Sequence, residues 1–190
     1  MIAVTSMRPP PDCAPEILLN QSLAMQSWAP VFNSVTNFGG SEPPLIVDMM
    51  KKAAEYADWS CLINADIVVA PKFRQVETLL VASNAKCAFS LRYQNGKVTD
   101  MGLDIFCAVS EVWHRAAREV PKQFRLGHIL WDTWTLQFFA ANYGKDCFDF
   151  TPSKVIFHTP HGNRKDQSTT KPEQDPYIDK FIWPSKTIKI

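Results

Sequence analysis

Seven glycines in 190 residues form neither G-x-G-x-x-G nor a Walker A loop. A Rossmann dinucleotide site and a P-loop are therefore without support. H-E-x-x-H and G-x-S-x-G are also absent, so neither a zincin helix nor a nucleophile elbow is indicated. The five cysteines, Cys13, Cys61, Cys87, Cys107 and Cys147, are odd in number and scattered, with no C-x-x-C. That spacing argues against a zinc ribbon or a disulfide framework and fits a reducing compartment. Cys61, Cys87 and Cys107 lie in apolar runs, where a thiol behaves as a small hydrophobe. No run approaches the roughly 18 apolar residues of a membrane span. The apolar start, Met1 to Met7, meets Arg8 and Pro9-Pro10-Pro11 too soon for a signal peptide, so a cytoplasmic protein is expected. An excess of charge of one sign is missing too. Twenty basic residues face nineteen acidic ones, so no global field draws the chain to nucleic acid or a membrane.

What is present suits a globular domain. The chain is 46% hydrophobic and 12% aromatic, and its length allows one sizeable core. Ile2 to Met7 reads as a first buried strand, ended by the prolines. Pro15 opens a helix that runs to Trp28 and stops before Pro30. Val31 to Phe38 reads as a second strand. Leu45, Met49, Ala53 and Ala57 then recur at helical spacing, with Ile46 and Met50 beside them. Trp59 to Ile63 is a continuous apolar strand of the buried type. Asn64-Ala65-Asp66 breaks it before Ile67 to Ala70, and Pro71 begins a third helix. This alternation predicts an α/β layer fold with a mixed, mostly parallel sheet flanked by helices. Cys87 to Tyr93 and Leu103 to Val109 pair through a turn at Asn95-Gly96, where both residues tolerate positive φ. Ser110 is expected to cap a helix reaching Glu119. Residues 128–142 form another helix, and Phe148 to Phe157 hold one or two short strands. From His158 onward the chain turns polar, with 6 basic and 4 acidic residues. The expected organisation is one domain over 1–161 and a tail over 162–190 that packs on the domain or on a partner.

Four places carry chemistry. Asp66 ends a buried strand, and ligands of open α/β sheets bind beyond the carboxyl ends of strands. A carboxylate there suits a divalent cation that bridges phosphates; the plainer reading is a turn aspartate. His158 and His161 form an H-x-x-H on a loop, either a contribution to a transition-metal site or two solvated histidines. Asp132 stands in the first turn of a helix between Trp131 and Trp134. Loss of hydration among aromatics would raise its pKa and suit a general base; facing the helix dipole is the bland alternative. The two tryptophans are either core or a wall for a sugar ring. Asp104, between apolar neighbours on a strand, faces either a pocket or water.

Taken in order, these pieces resemble glycosyltransferases of the GT-A fold, in particular a small bacterial and phage-type group of nucleotide-diphospho-sugar transferases. The carrying residues are Val4-Thr5-Ser6-Met7-Arg8-Pro9, Gln26-Ser-Trp28, Leu62-Ile-Asn-Ala-Asp-Ile67 and Ser90-Leu-Arg92. Gly102-Leu-Asp-Ile-Phe106, Arg125-Leu-Gly-x-x-x-Trp-Asp132-x-Trp134 and His158-x-x-His161 complete the set. The resemblance implies a nucleoside-diphosphate sugar, most readily a UDP-sugar, over the first strand, with Thr5, Ser6 and Arg8 lining the nucleotide site. Asn64-Ala65-Asp66 takes the place of the family's D-x-D motif, with Asp66 and His161 or His158 on a cation, Mn2+ or Mg2+. Arg92 is implied near the diphosphate or beside Asp66. Asp104 is implied at the sugar or acceptor, and Asp132 as the base of an inverting transfer to an acceptor hydroxyl. The chain departs from the pattern at Asn64, where the family has its first acid.

That departure motivates the alternative of a nucleotide-sugar-binding or scaffold protein without turnover. A nucleotidyltransferase is a third possibility, weakened by the missing phosphate loop after the first strand. The acceptor is open among a surface glycan, a protein, a small molecule and a modified DNA base.

Overall fold

Strand alternation decides the architecture. The computed structural model describes residues 1–7, 13–40, 42–126, 131–159, 186–187 and 189–190. In chain order the elements are β1 (Ile2–Thr5), α1 (Pro15–Trp28), β2 (Ser34–Asn37), α2 (Ile46–Ala54), β3 (Ser60–Ile63), β4 (Ile67–Val69) and α3 (Phe73–Ala82). Then come β5 (Cys87–Gln94), β6 (Lys97–Ala108), α4 (Ser110–Glu119), α5 (Trp131–Tyr143), β7 (Cys147–Asp149), β8 (Ile156–His158) and β9 (Lys186–Thr187). Among the described residues the sheet runs β2-β1-β3-β6-β5-β7-β9, with β8 joining both β4 and β5. β1 pairs in parallel with β2 and β3, and β5 with β7 and β8; β6 runs antiparallel between β3 and β5. The sheet is thus mixed and mostly parallel, as the alternation of elements predicts.

Successive strand residues feed two cores. Val4, Leu62, Phe89 and Phe106 point into a cluster with α2, α4 and α5. Ala3, Cys61, Ile63, Ala88, Ile105 and Cys107 point into a second cluster with α1 and α3. Strands buried on both faces explain why their sequences read as unbroken apolar runs. The thiols sit here as well. Cys61 lies opposite Cys107 and Cys87 opposite Cys147, all four fully buried and free. Burial pushes the Cys61 and Cys87 thiols well above their usual range.

Local chemistry sets most boundaries. Asn95 and Gly96 take φ of 52° and 76°, the two positive values that a tight hairpin turn requires. α1 is anchored at its carboxyl end, where Trp28 Nε1 donates to the Ile67 carbonyl at 2.7 Å and Val69 N–H donates to Ser27 Oγ at 3.0 Å. Three expectations are corrected. Val31 and Phe32 belong to the turn leaving α1, since both amides donate to the Trp28 carbonyl, so the second strand starts only at Ser34. Ala57 lies past the end of α2 and is exposed. Ser110 does not cap α4: it is the first helical residue, Val109 is the cap, and the Ser110 hydroxyl donates to the Ala54 carbonyl. Within the predicted tail, Lys186–Thr187 pair in parallel with β7. No described helix is long and apolar enough to cross a membrane.

Candidate active site

The site is built where β3 leaves the sheet. β1, β3 and β5 run in the same direction, and β6 enters antiparallel, so the ends of three strands and the middle of β6 meet at one edge. Asn64 follows β3 directly. Its backbone N–H donates to the Asp104 carbonyl at 3.0 Å, which extends the β3–β6 ladder by one step. Its side-chain Nδ2 donates to Asp104 Oδ1 at 2.6 Å. From β5, Arg92 Nη1 donates to Asp104 Oδ2 at 3.1 Å. Asp104 is only 4% exposed, so it does not face open solvent. A buried carboxylate needs such partners, because an unpaired one is costly. Burial pushes its carboxyl above the usual range; Arg92 works against that, the Asp66 charge adds to it, and Asn64 and His158 oppose it.

Asp66 sits on the turn into β4. The antiparallel pairing of β4 with β8 sets Ile67 opposite His158 and so carries the imidazole to the carboxylate. His158 Nε2 is 3.3 Å from Asp66 Oδ2. Asp132 lies in the first turn of α5, where its Oδ1 accepts the Thr133 N–H at 2.8 Å. Burial raises its carboxyl above the usual range, hydrogen bonds from backbone N–H groups pull it down, and the nearby Asp104 charge raises it further. The structure therefore brings Asn64, Asp66, Arg92, Asp104 and His158 together, with Asp132 within electrostatic reach.

The remaining sequence expectations fare differently. Thr5 is fully buried, and its hydroxyl donates to the Ile63 carbonyl at 2.7 Å. That bond ties β1 to β3 and commits the Thr5 hydroxyl to the sheet. Ser6 follows at the strand end and is half-buried. Arg8 and His161 lie outside the described residues. Trp131 and Trp134 are core. Trp131 meets Phe106 edge-on at 5.5 Å, and Trp134 stacks on Phe138 at 5.2 Å. Asn37 was not singled out from the sequence. Its Oδ1 accepts the Met7 N–H at 2.8 Å and the Gly39 N–H at 3.0 Å, clamping the loops after β1 and β2 together. The only sequence signal for it is an asparagine just before Gly39-Gly40.

A cation would find two protein donors here, the Asp66 carboxylate and the His158 imidazole. Among the described residues no group of three or more His, Cys, Asp or Glu side chains is placed to hold an ion. An oxygen and a nitrogen donor side by side fit a borderline divalent ion that takes its other ligands from phosphate and water.

No protein-family model and no curated protein matches the chain. Solved structures do. One is Staphylococcus aureus TarS residues 1–349 in complex with UDP-GlcNAc, with TM-score 0.54 and 8% identity, covering 85% of this chain and 59% of that one. This chain thus spans less than two thirds of the TarS fragment. Another is a protein from Desulfovibrio desulfuricans G20 assigned as a nucleotide-diphospho-sugar transferase, with TM-score 0.50 and 10% identity, covering 94% of this chain and 92% of that one. With its mixed sheet, its two helical layers and these neighbours, the chain has a GT-A-like fold.

Proposed function

We propose that the protein is a glycosyltransferase that moves a sugar from a UDP-sugar to an acceptor hydroxyl, with inversion. One observation carries this: the carboxyl edge of a GT-A-like sheet gathers Asp66, Asp104, Arg92 and His158, with Asp132 facing them electrostatically. The UDP-GlcNAc bound to the TarS neighbour supports the choice of nucleotide. The five free thiols fit the reducing interior of a cell, where we place the protein.

Asp132 is the base. The Thr133 N–H orients its carboxylate, and partial dehydration strengthens it as a proton acceptor. It takes the proton of the acceptor hydroxyl as the new glycosidic bond forms. Asp104 is a positioning residue that holds Arg92 and Asn64. Arg92, a quarter exposed, brings its positive charge to the leaving diphosphate. Ser6 and Arg8 meet the nucleotide at the end of β1. Asp66 and His158, joined by His161, would hold Mn2+ or Mg2+, which supplies positive charge for the departing nucleoside diphosphate. Residues 162–190 form a tail that packs on the domain or a partner, where Lys186–Thr187 add a strand beside β7.

A second reading is favoured by one contact. Asn64 gives its amide to Asp104, so the first position of the acidic motif contributes no carboxylate to a cation. A nucleotide-sugar-binding protein without turnover would share this feature. Slow donor hydrolysis without acceptor marks the transferase, and its absence in a protein that binds donor marks the binding protein.

Calorimetric titration with UDP, GDP and CDP, each with and without manganese, tests the proposal. The expected result is manganese-dependent binding of UDP that Asp66→Ala abolishes. Binding of none of the three would overturn it.

A further inference from the structure

Arg92 and Tyr93 are consecutive on β5, yet they serve different places. Arg92 reaches Asp104, whereas Tyr93 lines a separate cavity of about 520 Å³. That volume lies within the range of about 300–1,000 Å³ typical of small-molecule sites. Three lysines line it: Lys72 ahead of α3, Lys154 before β8, and Lys189. All three are exposed. Lys51, Lys52 and Lys86 elsewhere on the surface each pair with a carboxylate, and none of the three cavity lysines does among the described residues. Asp149 is the one acidic side chain among the lining residues, and its Oδ1 already accepts the Thr151 N–H at 2.8 Å. Thr151 Oγ1 in turn accepts the Leu91 N–H at 2.8 Å, so its own hydroxyl proton is left to donate.

Lys154 adds a further sign. It takes φ of 51° as the left-handed residue that closes the 3-10 turn Thr151–Ser153, which sets its Nζ 5.8 Å from the Tyr93 ring centre. Phe157 packs against Tyr93 with ring centres 6.2 Å apart, which steadies the ring. The cavity therefore offers three ammonium groups without a carboxylate partner among the described residues, one of them over the Tyr93 ring.

We propose that this cavity binds a small sugar phosphate, with the phosphate on Lys72, Lys154 and Lys189 and the sugar ring against Tyr93. The site is separate from the one proposed for the donor, so it stands or falls independently of the glycosyltransferase reading.

The test is calorimetric titration of the full chain with glucose 6-phosphate, inorganic phosphate and glucose, on the native protein and on the Lys72→Ala/Lys154→Ala variant. Glucose 6-phosphate should bind saturably, inorganic phosphate more weakly, and glucose not at all. The double variant should lose roughly tenfold per lysine, the size expected of a hydrogen bond to a charged group. Tyr93→Ala should erase the preference for glucose 6-phosphate over inorganic phosphate. UDP binding should be the same in all three proteins, which separates this site from the donor site. No saturable binding, unchanged binding in the double variant, or complete competition by UDP would each overturn the proposal.

Discussion

The two faces that meet at β5 handle charge in opposite ways. On one side the acids are braced: buried Asp104 is held by Arg92 and Asn64, and the partly exposed Asp66 is paired with His158. On the other side Lys72, Lys154 and Lys189 stand exposed, with no acid assigned to them among the described residues. Buried charge has to be compensated by the fold itself, so its geometry is fixed before any ligand arrives. Exposed charge is already hydrated and needs no internal partner. Substitutions on the acidic side should therefore disturb folding and chemistry together, whereas substitutions on the basic side should disturb binding alone.

The largest effect expected is on turnover. Asp132→Asn should lower transfer on the order of 10²–10⁴-fold, the usual weight of a general base, with UDP affinity unchanged. Normal transfer by that variant would remove Asp132 from the role. Next comes the brace. Arg92→Ala leaves Asp104 buried without its cation and should lower unfolding free energy by about 2–3 kcal/mol in urea. Arg92→Ala/Asp104→Ala should lose less than the two single losses added together, because the stranded charge is gone. A smaller effect is expected on pH dependence. Folding raises the pKa of both Asp104 and Asp132, so the native state holds their protons more tightly than the unfolded chain does. Their contribution to stability is fully present below the ordinary carboxylate range and is lost as pH rises through the raised values. Unfolding midpoints should fall over that window, and Asp132→Asn should flatten the fall and be the more stable protein at neutral pH. The smallest effect closes the comparison. Lys72→Ala should move thermal stability by less than about 0.5 kcal/mol, as is usual for an exposed side chain.

Legibility in the sequence followed the range of the forces involved. α1 was readable from Pro15 to Trp28, and the hairpin from Asn95-Gly96, because proline geometry and positive φ act locally. The α/β layering followed from apolar runs at strand and helix periods. The face of α1 did not. It buries Asn20 and Gln21 and leaves Leu19 60% exposed, because the anchors at Trp28 and Ser27 fix its rotation. At the site, Asp66, Asp104, Asp132 and Arg92 were all singled out as residues. Their partners were not readable. The Arg92–Asp104 pair depends on β5–β6 pairing that shifts register beside Arg92, and His158 reaches Asp66 only through the β4–β8 pairing. Such contacts are set by the whole sheet rather than by neighbours in sequence.

The facing cysteines of the sheet have a practical consequence. Cys61 and Cys107 span the β3–β6 seam, and Cys87 and Cys147 span the β5–β7 seam. Shielded from solvent, they are invisible to an alkylating reagent while the sheet is closed, so the molecule carries its own chemical clock for opening. All four reacting in a single burst would describe a sheet that yields as one piece. Two adducts followed later by two more would locate a fault line between the seams, and the mass of the first pair would say which one parts first.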